Sequence, residues 1–405
     1  MLINLRNAMM AGKRLPYDAE LEYLESTGTQ WIDTGYVPTA DDSFYCRVKQ
    51  NIIQDQAFWG LAGVAYLFWN GVATNNSTFG GHPAIGNGRV NDVNPLGDTN
   101  WHEILCQPSG ILVDGIQITM QVTAQAQSPL NTVALFARAV NSAGGGVAKN
   151  GQGRISAFKV ERNGVLVRDF IPVRRGTVGY LYDRVSKRLF GNAGTGDFVL
   201  GPDVVPVEYI ESHGAEWIDT GISTGTDVST MPTITGRYQF NPTGQAVYDG
   251  IFGHFYGSRA YTISKFSSTT NQVSYKVGNA SGYYRTTGLN DWYDFEFNPS
   301  QNIFTENGSP IVVGRNYLNV DGHIYLFANY DDQNSRPYSA ECKLGKVTIA
   351  TYQGTFVRSF RPVRVGSGST WEGAMMDVLT RRIYRNAGTG AFTYGNDLRY
   401  PIPAE

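Results

Sequence analysis

The chain has little charge, few cysteines and no long apolar run. Lys, Arg, Asp and Glu make up only 17% of its 405 residues, and the formal net charge is -2. That balance gives no electrostatic footprint for nucleic acid or an anionic membrane, so neither is expected as a partner. Three cysteines, Cys46, Cys106 and Cys342, cannot build a paired framework, and none stands in a Cys-x-x-Cys pattern. They are expected to be small buried hydrophobes of a protein made in a reducing bacterial cytoplasm. No apolar stretch approaches the roughly 20 residues of a membrane-spanning helix. The first residues do not read as a signal peptide, because Arg6 interrupts the apolar run and Lys13 and Arg14 follow it. Helical periodicity is almost missing as well.

What is plentiful is glycine and aromatic residues, with 47 Gly, 24 Tyr and 20 Phe. Aromatics favour a pleated surface and glycine supplies tight turns, so the mixture points to many short strands. The strongest signal is internal repetition. Residues 22–35 read EYLESTGTQWIDTG and residues 208–221 read EYIESHGAEWIDTG, identical at ten of fourteen positions. Phe170-Ile-Pro-Val-Arg174 recurs as Phe360-Arg-Pro-Val-Arg364, and Asn192-Ala-Gly-Thr-Gly196 recurs unchanged at 386–390. A duplication of this length predicts two similar domains, 19–203 and 204–405, behind an N-terminal arm of residues 1–18.

Within each copy, turn signals come about every ten residues, the pattern of an antiparallel sandwich. Asp114-Gly115 and Asn163-Gly164 predict two-residue hairpin turns. Val133–Ala139 reads as one continuous strand buried on both faces, and Gly201–Pro206 as a short stiff linker. The doubled opening motif reads as the first strand of each domain, pinned against the last ones. Leu2, Leu5, Met9 and Met10 lie near helical spacing, compatible with an amphipathic peg that anchors the arm in a larger assembly.

Trp101-His102-Glu103-Ile104, then Val113-Asp114-Gly115, then Ile155, Phe158 and Val160 resemble the laminin-G or concanavalin A-like jelly roll. The resemblance implies an all-β fold of two tandem concanavalin A-like (laminin-G-like) antiparallel sandwiches. The doubled motif also resembles proteins of gut bacteriophages and their hosts. That implies a structural protein of the virion surface, a head decoration or tail adhesin, with other virion proteins as partners through the arm. The alternatives are a bacterial cell-surface lectin and, further off, a glycoside-cleaving enzyme.

Catalysis finds little support in the residues. Glucanases of this superfamily carry Glu-x-Asp-x-x-Glu on one strand, and no such run is present. Glu22 and Glu25, mirrored by Glu208 and Glu211, fall on opposite faces of an extended segment. They are expected to pair with Arg168/Arg358 or Arg174/Arg364. His102 reads as a strand residue beside a turn, and Asn192–Gly196 as a turn rather than a phosphate loop, because no helix follows it. No catalytic residue, cofactor or metal is assigned. Calcium is implied by the resemblance alone, with Asp41-Asp42 and Asp331-Asp332 as its nearest oxygen ligands.

Glycans from host or mucosa are the natural ligand for such a fold. A sugar needs an aromatic plate for its C–H face and amides or carboxylates for its hydroxyls. Loop-proximal candidates are Trp69, Asn70, Tyr256, Tyr283, Tyr284, Tyr330, Asp331 and Trp371. The strand aromatics Trp31, Trp101, Trp217 and Trp292 are expected to fill the core. Homo-oligomerisation is compatible with the sequence, although no heptad seam is visible.

Overall fold

The computed structural model describes residues 15–398 except 55, 68, 72–75, 79–80, 90–95, 120, 226, 242–248, 257–258, 266–271, 280–282, 287–290, 312, 314–321 and 352–355. The arm residues Leu2, Leu5, Met9 and Met10 lie outside that range. Every element among the described residues is a β-strand. The chain divides into two compact units, 1–203 and 204–405.

In the first unit, Asp42–Gln50 lies between Trp101–Gln107 and Gln152–Arg162, antiparallel to both. The sheet continues outward from Trp101–Gln107 through the hairpin Gly110–Val113/Ile116–Ile118. On its other side, Gln152–Arg162 pairs first with Leu24–Thr27 and then with Val165–Arg175. An opposing sheet contains Trp59–Leu61 between Ala65–Leu67 and Ala134–Leu135, with Ile32–Asp33 beyond. Between the sheets sits a dense aromatic core. The Phe44 and Trp59 rings are 4.9 Å apart and Trp59 and Phe158 5.5 Å, all essentially without exposure.

The second unit repeats this order. Thr233–Phe240 lies between Tyr293–Asn298 and Glu341–Ala350. The facing sheet runs Ile218–Ser223, His323–Leu326, Asp249–Tyr256, Arg259–Lys265, Gln272–Gly278. Its core rings include Phe252 stacked on Phe295 at 5.6 Å. It also holds a buried polar group: Glu306 accepts hydrogen bonds from the Tyr238 and Tyr275 hydroxyls. Each unit is an all-β antiparallel sandwich.

The doubled motif is not the first strand: Ala19–Leu21 and Asp203–Pro206 precede it. Its own strands Leu24–Thr27 and Ile210–His213 are pinned against the last ones, with the main hydrogen bonds of the turn copied. The Ser26 hydroxyl donates to the Gln30 carbonyl at 3.1 Å, and Ser212 does the same to Glu216. The Asn192 side-chain oxygen accepts from the Trp31 and Gly194 amides at 3.1 and 2.8 Å. Asn386 does so from Trp217 and Gly388 at the same distances. The Asn-Ala-Gly-Thr-Gly cluster is therefore a turn, docked on the doubled motif of its own unit. Its central glycine is required sterically, since a Cβ on Gly194 would lie 2.0 Å from the Thr29 carbonyl oxygen.

Three further expectations need correction. Val133–Ala139 is not one strand: Phe136 has a φ of 59°, and pairing stops between Ala134–Leu135 and Arg138–Ala139. Phe327, with a φ of 63°, makes the same break in the second unit. The kink lets the chain leave an antiparallel pairing with Trp59–Leu61 and return to it parallel. Asp203–Pro206 is a strand rather than a bare linker. The arginines assigned to Glu22 and Glu25 belong to aspartates instead. Arg174 forks onto Asp203 at 2.7 and 2.6 Å, and Arg364 onto Asp397 at 2.7 and 2.8 Å. Arg168 and Arg358 face the buried Asp183 and Asp377 at 3.7 and 3.6 Å. Glu25 is held by Arg154 at 2.6 Å, its cross-strand neighbour, because adjacent strands bring those positions together.

Candidate functional site: an outward Tyr–Trp pair

Strand alternation decides where the tryptophans go. In Trp101–Gln107, residues His102, Ile104 and Cys106 are buried, so Trp101, Glu103, Leu105 and Gln107 face outward. Trp292, Trp31 and Trp217 are likewise only half-buried, so Trp101, Trp217 and Trp292 do not fill the core as expected, while Trp31 packs against it. Among the described residues, the fully buried tryptophan is Trp59.

On the outer face of the first unit, Tyr23 and Trp101 meet with ring centroids 6.1 Å apart. Arg154 lies 4.3 Å from the Tyr23 ring and Arg47 lies 4.2 Å from the Trp101 ring. The second unit builds the same ladder. Tyr209 and Trp292 are 5.8 Å apart, Lys343 is 4.8 Å from Tyr209, and Arg237 is 5.1 Å from Trp292. A cation over a ring contributes about 0.5–1 kcal/mol at an exposed site and more where it is desolvated, as Arg47 is.

A β-bulge sits beside each ladder. Pairing with Asp42–Gln50 skips a residue between Ile155 and Ala157, and the second unit breaks register between Gly236 and Tyr238. The extra residue bends the strand locally. In the first unit that residue is Ser156, whose hydroxyl accepts from Arg47 Nη1 at 3.1 Å. Arg47 and Ser156 are both buried. In the second unit the equivalent residue is Gly345, and Arg237 keeps 53% of its side chain exposed. Here the outer face opens into a cleft of about 680 Å³, lined by Tyr209, Trp292, Arg237, Asp294, Glu208 and Lys346 among others. That volume falls within the usual range for small-ligand sites. Two half-exposed rings, two cations and two carboxylates converge on it.

The first unit carries a different polar device at the inner edge of its ladder. His102 presents Nδ1 to Asp114 at 2.8 Å and Nε2 to Asp98 at 2.9 Å. Burial pulls its pKa down, but the hydrogen bonds and charges of both carboxylates outweigh this and the net shift is upward. Asp98 moves the other way overall: slight burial raises it, and hydrogen bonds from Asn100 and His102 bring it below the carboxylate range. The expected strand histidine is thus also a clamp between the Asp114-Gly115 turn and the loop before the strand.

Of the candidate ligand residues, Tyr256, Tyr330 and Asp331 lie on the paired strands Asp249–Tyr256 and Ala328–Asp331, and the others lie on other strands. Trp69 and Asn70 lie on the strand Trp69–Gly71, and Tyr283 and Tyr284 on Tyr283–Thr286, with side chains outside the described ones. Tyr256 is exposed at the end of its strand. Tyr330 stacks on Tyr325 at 4.6 Å and meets Trp217 at 6.0 Å. The buried Asp331 carboxylate accepts from the amides of Gln333 and Asn334, which shapes a turn. Trp371 lies under Arg364 at 3.8 Å and donates its indole N–H to the Gly368 carbonyl. Of the calcium candidates, Asp42 is fully buried and engaged by Arg162 and the Thr39 amide. Of the candidates whose side chains are described, Tyr256, Tyr330, Asp331 and Trp371, none lines the cleft.

No protein-family model and no curated protein matches the sequence. Among solved structures, mouse laminin alpha1 chain domains LG4-5 align with 86% of this chain and 92% of that one, at 12% identity and a TM-score of 0.30. Nothing that laminin does is carried over at that score. The sandwich assignment rests on the strands of this chain.

Proposed function

We propose that the protein is a non-enzymatic glycan-binding protein and that its second unit holds the sugar in the Tyr209–Trp292 cleft. The observation that carries this reading is the convergence of half-exposed rings with Arg237, Asp294 and Lys346 around one open volume. A pyranose stacks its C–H face on an aromatic ring and spends its hydroxyls on charged donors and acceptors. The Glu25 carboxylate is held by Arg154 and by the Asn51 side-chain amide. Binding to a glycan array that falls at least about tenfold on Trp292→Ala, with the thermal transition unchanged, is the expected result. Retained binding in that variant, or release of reducing sugar from any polysaccharide, overturns the proposal.

We place this activity on the surface of a bacteriophage particle, with the first 18 residues as the anchor to other virion proteins. The support is the doubled motif and its resemblance to phage proteins. Mass spectrometry of purified virions is expected to find the protein in particles, and deletion of residues 1–18 to remove it. Recovery only from bacterial envelopes favours the cell-surface adhesin.

A further inference from the structure

We propose that Gly345 is the residue that makes the second unit a binder, and that a sugar oxygen takes there the place of the Ser156 hydroxyl. This rests on the glycan reading above and adds which copy binds and through which contact. The two bulges differ in one decisive respect. In the first, the Ser156 oxygen satisfies Arg47 Nη1 at 3.1 Å, and the guanidinium closes down over Trp101 at 4.2 Å. Arg47 is only 5% exposed, so its own side chain fills the position a ligand would occupy.

In the second, glycine offers no oxygen. Arg237 stands further from its ring, at 5.1 Å, and its ion pair with Asp294 is long, 3.5 Å from Nε. Arg364 in the same unit shows what an engaged arginine looks like, forked onto Asp397 at 2.7 and 2.8 Å. Nothing in the backbone demands glycine at 345. A Cβ there would meet Arg237 Cβ at 3.6 Å and the Arg237 and Glu208 carbonyl oxygens at 3.7 and 3.8 Å, all ordinary contacts. The consequence of the missing side chain is therefore the open cleft and a guanidinium offered to a ligand oxygen. Sugar hydroxyls and carboxylates are both suitable acceptors for it.

Two measurements test this. Without ligand, phenylglyoxal labelling read by peptide mass spectrometry should modify Arg237 and spare Arg47. Gly345→Ser should protect Arg237, and Ser156→Gly should expose Arg47. With the oligosaccharide giving the strongest array signal as probe, calorimetry should count one site per chain. Gly345→Ser should weaken binding about tenfold or more at unchanged thermal stability, and Gly345→Ala, which adds no oxygen, should weaken it less. Equal labelling of the two arginines, two sites per chain, or wild-type affinity in Gly345→Ser overturns the proposal. If Trp292→Ala abolishes binding and Gly345→Ser does not, only this inference falls. A chain that binds no glycan overturns the glycan reading and this ligand assignment together, whereas the labelling arm still reports whether Ser156 latches Arg47.

Discussion

Single side chains in this protein have measurable signatures. Cys46, Cys106 and Cys342 are buried thiols outside any disulfide. Burial pushes Cys46 well above the usual thiol range and Cys106 up to about 12. The thiolate is the reactive form, so Cys46 and Cys106 are expected to resist thiol reagents until the chain unfolds, and Cys342 is expected to do so because it is shielded from solvent; labelling under native conditions checks this. His102 gives a pH signature. Its folded pKa lies above the reference 6.5, so its contribution is complete below that value and is lost as pH rises through the folded pKa. Asp98, held below 3.8, contributes above that pH and loses its effect as pH falls through its folded value. His102→Gln should therefore cost about 1 kcal/mol at pH 5–6 and progressively less at higher pH, since Asp98 and Asp114 are half-exposed and partly screened. Chemical denaturation across pH reads the effect. Gly194→Ala, driven into the Thr29 carbonyl, should destabilise the first unit by about 1–3 kcal/mol in the same assay.

At the scale of strands and turns, much was legible because it depends on local chemistry. Asp114-Gly115, Asn163-Gly164 and Asn307-Gly308 all have positive φ at both positions, as the Asp-Gly and Asn-Gly pairs imply. Glycine matters at the second of them: Gly308→Ala, at a φ of 73°, should lower stability by about 1 kcal/mol in thermal unfolding. The break at Phe136 was not legible, because a bulky residue with positive φ goes against its own preference and is held there by the packing around it. The outward tryptophans could have been found. Once Ile104 and Cys106 are taken as inward, a period of two sends Trp101 to the other face, whereas hydrophobicity alone sends it to the core. Tyr209 and Arg237 gave no such signal. They meet Trp292 only through pairings between segments far apart in the chain.

For the molecule as a whole, the cores argue for two folding units. The principal cluster of the first, around Phe44, Trp59 and Phe158, contains no residue beyond 203, and that of the second, around Phe252 and Phe295, begins at Val207. Residues 15–203 and 204–398 expressed separately are each expected to unfold cooperatively, and a broad, non-cooperative melt of either would contradict this. Within the first unit the start and finish of the chain are also bound to each other. The Glu22 amide donates to the Pro202 carbonyl, the Gly201 amide to Tyr23, and the Trp31 amide to Asn192. In the second unit Gly395 donates to Tyr209, and Trp217 to Asn386. Such a unit is topologically close to a ring with one cut in it. Its gene segment can be copied head to tail without either copy surrendering a bond, and a circular permutant opened at the exposed Asn163-Gly164 hairpin should still close on itself.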